Sequence, residues 1–162
     1  MSEGVDTPGG GSVVAGRTKH GELTIDQLAG LAPGLGRIMR EIGERYWLLY
    51  YAAQGGNWDL AHYAFRGMRK MFKTGALTRP KMAGALDAYD EKWLAPLGNA
   101  ITARDWTAFD AAYTAATDEA NRVHVGLGYG YIEWKLPATP PPQLTLTHVT
   151  LPPPSRGGND GS

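Results

Sequence analysis

Cysteine is absent from all 162 residues, which excludes disulfides, thiolate metal sites, thiol catalysis and covalent thioether haem. A surplus of either charge is also absent: 16 Lys and Arg balance 16 Asp and Glu. Proteins that track nucleic-acid phosphates carry a clear basic excess, so no nucleic-acid partner is expected. No apolar run approaches the roughly 20 residues that cross a bilayer, so no membrane partner is expected either. The opening MSEGVDTPGGGS lacks the basic region and apolar stretch of a secretory signal. These absences predict a cytoplasmic chain, and its length suits one domain of ordinary size.

The residues that are present are unevenly spread. Every aromatic side chain lies between Tyr46 and Trp134, while Gly and Pro crowd both ends. Segments of that composition bury too little apolar area to offset the roughly 1–2 kcal/mol per residue of backbone ordering. Residues 1–22 therefore read as a flexible tail and 23–136 as the domain. Residues 137–162 read as a Pro-rich extended tail, with a short alternating piece at Leu144, Leu146, Val149 and Leu151. Such a piece adds a strand to a partner, or lies loosely on the surface.

Between the tails the apolar period is helical. Over 33–54, Leu35, Ile38, Ile42, Tyr46, Leu49 and Ala53 form one stripe, with Arg37, Arg40, Glu41 and Glu44 off it. Gly55-Gly56 ends this helix, and Asn57 caps a second that carries Ala61, Phe65, Met68 and Phe72. Thr78 and Pro80 mark the start of a third, with a stripe of Met82, Leu86, Tyr89, Trp93, Leu97 and Ile101. Pro96 predicts a kink in it near 93–95. Asp105 caps a fourth helix that runs to about Val125, where Gly126, Gly128 and Gly130 stop it. A short helix over 24–31 is a weaker signal. The pattern predicts an all-α fold, an antiparallel four-helix bundle with disordered or extended terminal tails.

The fourth helix places Phe109, Tyr113, Ala116, Ala120, His124 and Leu127 on its inward stripe. An imidazole there either finds a hydrogen-bond partner within the fold or binds something. The run RGMRKMFK sets Arg66, Arg69, Lys70 and Lys73 on one side of the second helix. It reads as a solvated face, or as a contact for an acidic partner or a phosphate; Asp87, Asp90 and Glu91 are candidates to balance it. GLGYG follows no strand and is no dinucleotide loop. No Glu-x-x-His pair occurs, so no di-iron site is expected, and no metal ligands are assigned.

Two stretches resemble a family. LGRIMREIGERYWLLYYAAQGGNWDLAHYA and AITARDWTAFDAAYTAATDEANRVHVGLGYGYIEWKLP are similar to small helical bacterial c-type cytochrome-like proteins. The shared features are a Gly-Asn-Trp-x-Leu-Ala turn into the second helix and a last helix that exits through a His into aromatics. In that family the stretch matching Ala120-Asn121-Arg122-Val123-His124 reads C-x-x-C-H, the haem-attachment signature. Here both attachment positions are lost, as Ala120 and Val123, while the axial-ligand His is kept as His124.

The resemblance implies a haem-free or non-covalently loaded relative, and no covalent cofactor. His124 and Met39 would then be the cofactor-binding pair, Met39 matching a methionine of the family pattern. His62 is a second candidate partner, on a half-exposed face. Tyr46 stands where the family has a histidine. Tyr50, Phe109, Tyr129, Tyr131 and Trp134 would line a pocket, with the segment after the glycines laid back over the bundle. Three functions stay open. The leading one is a bundle that binds a small apolar or aromatic molecule, haem included, beside His124. A second is a cofactor-independent enzyme in the emptied cavity, with His124 as acid or base and Tyr46 and Tyr113 as helpers. A third is a structural or assembly module without ligand, forming a homo-oligomer or meeting a partner protein through its tails.

Overall fold

The computed structural model describes residues 13–140 and 146. They divide into two units, Met1–Gly34 and Leu35–Ser162.

The N-terminal unit is a hairpin followed by a short helix. Strands β1 (Val14–Thr18) and β2 (Gly21–Thr24) pair antiparallel, with Arg17 opposite Glu22 and a bulge between Val14 and Gly16. Gly21, at φ 137°, supplies the backbone conformation that the tight turn requires. The Arg17 Nε–Glu22 Oε1 ion pair closes the hairpin across the strands at 2.7 Å. Helix α1 (Ile25–Gly30) starts on a capping box: Thr24 Oγ1 accepts from the Gln27 N–H, and Gln27 Oε1 accepts from the Thr24 N–H. This corrects two expectations. The chain is mostly helical but not all-α, and a two-stranded sheet over 14–24 begins within the stretch read as tail. The strands are short, and Lys19-His20 is not the Asn-Gly type of turn that advertises a hairpin.

Among the described residues, the regular structure of the main unit is helical. Helix α2 spans Leu35–Gln54 and α3 spans Trp58–Thr78, with Asn57 Oδ1 accepting from the Leu60 N–H at the start of α3. A 3-10 turn at Pro80–Met82 leads into α4 (Ala83–Tyr89). Then a π-helical turn, Asp90–Leu94, joins α4 to α5 (Ala95–Ala103). Arg104, at φ 55°, ends α5 in the left-handed region, and Asp105 caps α6 (Trp106–Gly126) through the Ala108 N–H. The break expected near Pro96 is therefore the π turn, which ends where Pro96 enters the first turn of α5. Its extra residue per turn shifts the buried stripe by one, so Leu94 is in the core and Trp93 only half-buried.

The core is built from the expected stripes. Ile38, Ile42, Tyr46 and Leu49 from α2 meet Ala61, Phe65, Met68 and Phe72 from α3, Leu97 and Ile101 from α5, and Phe109 and Tyr113 from α6. Among the described residues of the proline-rich end, Leu146 also rests against this core. Leu144, Val149 and Leu151 lie outside the described residues. No helix among the described residues is long and apolar enough to cross a membrane.

Two glycines test this packing. A Cβ at Gly98 would stand 2.6 Å from Cε1 of the buried Phe65 ring, whereas one at Gly84 meets nothing within 4 Å. Gly98→Ala should cost about 1–3 kcal/mol by overpacking. Gly84→Ala should stabilise by up to about 1 kcal/mol through helix propensity. Urea unfolding of the two variants measures the contrast.

Candidate functional site

Helices α2 and α6 are joined by two tyrosines that exchange hydrogen bonds. The Tyr46 hydroxyl donates to the Tyr113 carbonyl at 2.9 Å, and the Tyr113 hydroxyl donates to the Tyr46 carbonyl at 3.2 Å. Their rings stack at 4.2 Å between centroids. Thr117 Oγ lies 3.1 Å from the Tyr46 hydroxyl and donates to the same Tyr113 carbonyl. Tyr89 adds a third hydroxyl on a helix carbonyl, that of Ala116, at 2.7 Å. Helical carbonyls keep a second lone pair after the intrahelical bond, so they can accept these bonds without breaking the helix. Among the described residues, no buried side-chain polar atom lacks a partner.

Burial pushes the Tyr46, Tyr89 and Tyr113 phenols well above their ordinary pKa. The expected catalytic helpers Tyr46 and Tyr113 are thus neutral donors fixed on backbone carbonyls. Next to them Phe109 is fully buried, ringed by Tyr50, Trp58, Trp106 and Tyr113. Tyr50 is half-buried and donates to Asp110 Oδ1 at 3.3 Å; burial and the Asp110 charge raise its pKa.

The chain leaving α6 folds back along these helices. Asn121 holds it in a two-point clamp: its side-chain amide donates to the Trp134 carbonyl at 3.1 Å, and its Oδ1 accepts from the Trp134 N–H at 2.8 Å. The Trp134 indole lies edge-on to Tyr46, with centroids 4.9 Å apart. It also fits against Gly43 of α2, where a Cβ would come within 3.1 Å of its Nε1. Tyr51 ties the segment down further on by donating to the Pro137 carbonyl. His124 is half-buried, and its Nδ1 lies 3.1 Å from the Ile132 carbonyl. A carbonyl only accepts, so Nδ1 carries the proton of that bond. Tyr129 and Tyr131, expected as pocket walls, are 48% and 81% exposed and pack edge-on against each other.

Whether these residues suit a haem follows from the register of α2 and α6. The contacts Tyr46–Tyr113, Tyr46–Thr117 and Tyr50–Asp110 run antiparallel. Continued, they put Met39 level with the last turns of α6 that carry His124. Met39 is half-buried against the core, and His62 is exposed. The flat slot a porphyrin requires would open between the two helices, and there the Trp134 indole lies against Gly43 and edge-on to Tyr46. With the Tyr46–Tyr113 stack beside it, the side chains present do not fit a haem. Among the described residues, no group of three His, Cys, Asp or Glu side chains could hold a metal ion.

Comparison of the chain with protein-family models, curated proteins and solved structures gave no match. The cytochrome-like resemblance therefore rests on the quoted motifs alone. Sequence reasoning had placed Tyr46, Tyr113 and Phe109 inward, and the structure brings them together with Tyr50 and Trp134. It missed Gly43, Asn121 and Thr117, which have no spacing signal because their partners are backbone groups or an indole far along the chain.

The tyrosine exchange sets an alkaline limit. Three phenols whose pKa is raised on folding contribute stability that is intact below about pH 10, the unfolded value, and is lost as pH rises above it. Each should withdraw about 1.4 kcal/mol per pH unit there, so unfolding above pH 10 should be steep and should coincide with tyrosinate absorbance. In Tyr46→Phe the slope should fall by about 1.4 kcal/mol per pH unit, the share of one phenol, with a cost near 1 kcal/mol at neutral pH.

Proposed function

We propose that the chain is an assembly module: an antiparallel four-helix bundle with a ligand-free core that joins copies of itself through its N-terminal hairpin and α1. The contacts support the bundle, since α2 meets α3, α3 meets α5, α5 meets α6 and α6 returns to α2. The filled space between α2 and α6, and the backbone partner of His124, favour a ligand-free core over the haem and enzyme readings.

The observation that carries the assembly reading is that the N-terminal unit, taken by itself, buries none of its apolar side chains. Val14, Ile25, Leu28 and Leu31 are 50%, 53%, 45% and 71% exposed, and α1 has no buried residue. An isolated two-stranded hairpin is marginal in water, and so is a helix of six residues. Such a unit gains stability when its apolar side chains and strand edges are covered. A second copy supplies a matching edge under twofold symmetry, the commonest arrangement of homo-oligomers. A chain with zero net charge offers no long-range repulsion to this.

Light scattering after size exclusion should give a dimer or larger for the full chain. Leu28→Asp with Ile25→Asp should yield monomers of unchanged helical circular dichroism. A chain that is monomeric at its highest soluble concentration overturns the reading. Added haem should keep the spectrum of free haem; a shifted Soret band that disappears in His124→Ala would restore the ligand-binding alternative.

A further inference from the structure

A groove of about 500 Å³ runs between α3 and α5 of the main unit. One wall carries His62, Arg66, Arg69, Lys70 and Lys73 from α3, and the other is low, made of Ala95, Gly98, Asn99 and Thr102 from α5. At 100° per residue the five basic positions fall within an arc of about 100°, so one face of α3 presents them all. Gly98 brings α5 close to α3 at the Phe65 ring, and the small side chains around it leave the cations unshielded from the groove.

The basic side chains are not equivalent. Arg69 is fixed by Asp90, with Nε donating to Oδ1 at 2.6 Å and Nη2 donating to Oδ2. Its charge is balanced, and its guanidinium lies over the Phe65 ring as a rigid floor. Arg66, Lys70 and Lys73 form no ion pair among the described residues. Among the described residues, no carboxylate lines the groove. Three unbalanced cations therefore share one groove in a chain whose total charge is zero. From Arg66 to Lys73 they extend about 10 Å along the helix axis.

We infer that the α3–α5 groove binds a small oligophosphate, a ligand with two or three linked phosphoryl groups. The guanidinium of Arg66 suits bidentate contact with phosphoryl oxygens, and Lys70 and Lys73 act as point charges further along. The Asn99 amide supplies a neutral donor from the facing wall. The groove volume falls in the range of small-molecule sites, roughly 300–1,000 Å³. A single orthophosphate would leave part of a 10 Å row of charge uncompensated. Phe65 is only 5% exposed and offers no face for a nucleobase, so recognition rests on the phosphates.

Titration calorimetry of the full chain at low ionic strength, with sodium tripolyphosphate and separately with ATP, tests this. Both should bind, compete, and differ by less than about threefold, with orthophosphate at least about tenfold weaker. Lys70→Gln with Lys73→Gln should weaken tripolyphosphate about tenfold; Arg37→Gln with Lys81→Gln, the same charge change elsewhere, should alter it less than about twofold. Thr102→Trp and Asn99→Trp, neutral variants that fill the groove, should each abolish binding while circular dichroism stays helical. The inference is overturned if tripolyphosphate gives no binding, or if both double variants lose it equally. It also falls if the Trp variants fold and bind as before, or if an oligothymidylate binds more tightly than tripolyphosphate.

Discussion

The contact on which the main unit depends is the reciprocal bond between Tyr46 and Tyr113. Two hydroxyls buried in an apolar core would each be costly alone. Donated to each other's backbone carbonyls, with the rings stacked at 4.2 Å, they fix the spacing and the register of α2 against α6. That register then decides where everything else falls: Tyr50 beside Asp110, Trp134 against Gly43, and the return segment on Asn121. Because the bonded carbonyls belong to helix backbone, any displacement of α6 along its axis breaks both bonds together. The arrangement favours a rigid interior over one that opens for a ligand.

Much of this was legible in the sequence. The stripes on α2 and α3 came directly from spacing, because a helix with one buried face writes its period into the chain. The caps at Asn57 and Asp105 were legible for the same local reason. On α6 the period continued through Ala120 and His124, yet full burial stops at Ala116. The last turns of that helix are covered by backbone of the return segment instead of a helix face, and periodicity carries no information about what covers a stripe. The π turn was visible only as a kink at Pro96; its effect of exchanging Trp93 for Leu94 depends on a hydrogen bond from Ala95 back to Asp90.

The site was less legible, for a chemical reason. A histidine on an inward stripe has the same spacing whether it faces a cofactor or a carbonyl, and only the coordinates put Ile132 next to it. Without cysteine the chain can form no thioether bond to a haem, and the Trp134 indole lies against Gly43 and edge-on to Tyr46.

Zero net charge excluded a phosphate-tracking surface when taken over the whole chain, and that deduction does not extend to a single face. Asp and Glu are distributed so that Glu41, Glu44, Glu119 and Asp90 each hold a neighbouring arginine. Balance is therefore local in most of the main unit, and a deficit at one place must be matched by acids elsewhere. The deficit falls where small residues on α5 lower one wall beside Arg66, Lys70 and Lys73, which form no ion pair among the described residues. Mutual repulsion among like charges at adjacent turns opposes folding by a few tenths of a kcal/mol per pair. A cationic row beside a groove that two helices hold open is thus a cost to the folded state, and an anion seated there relieves it.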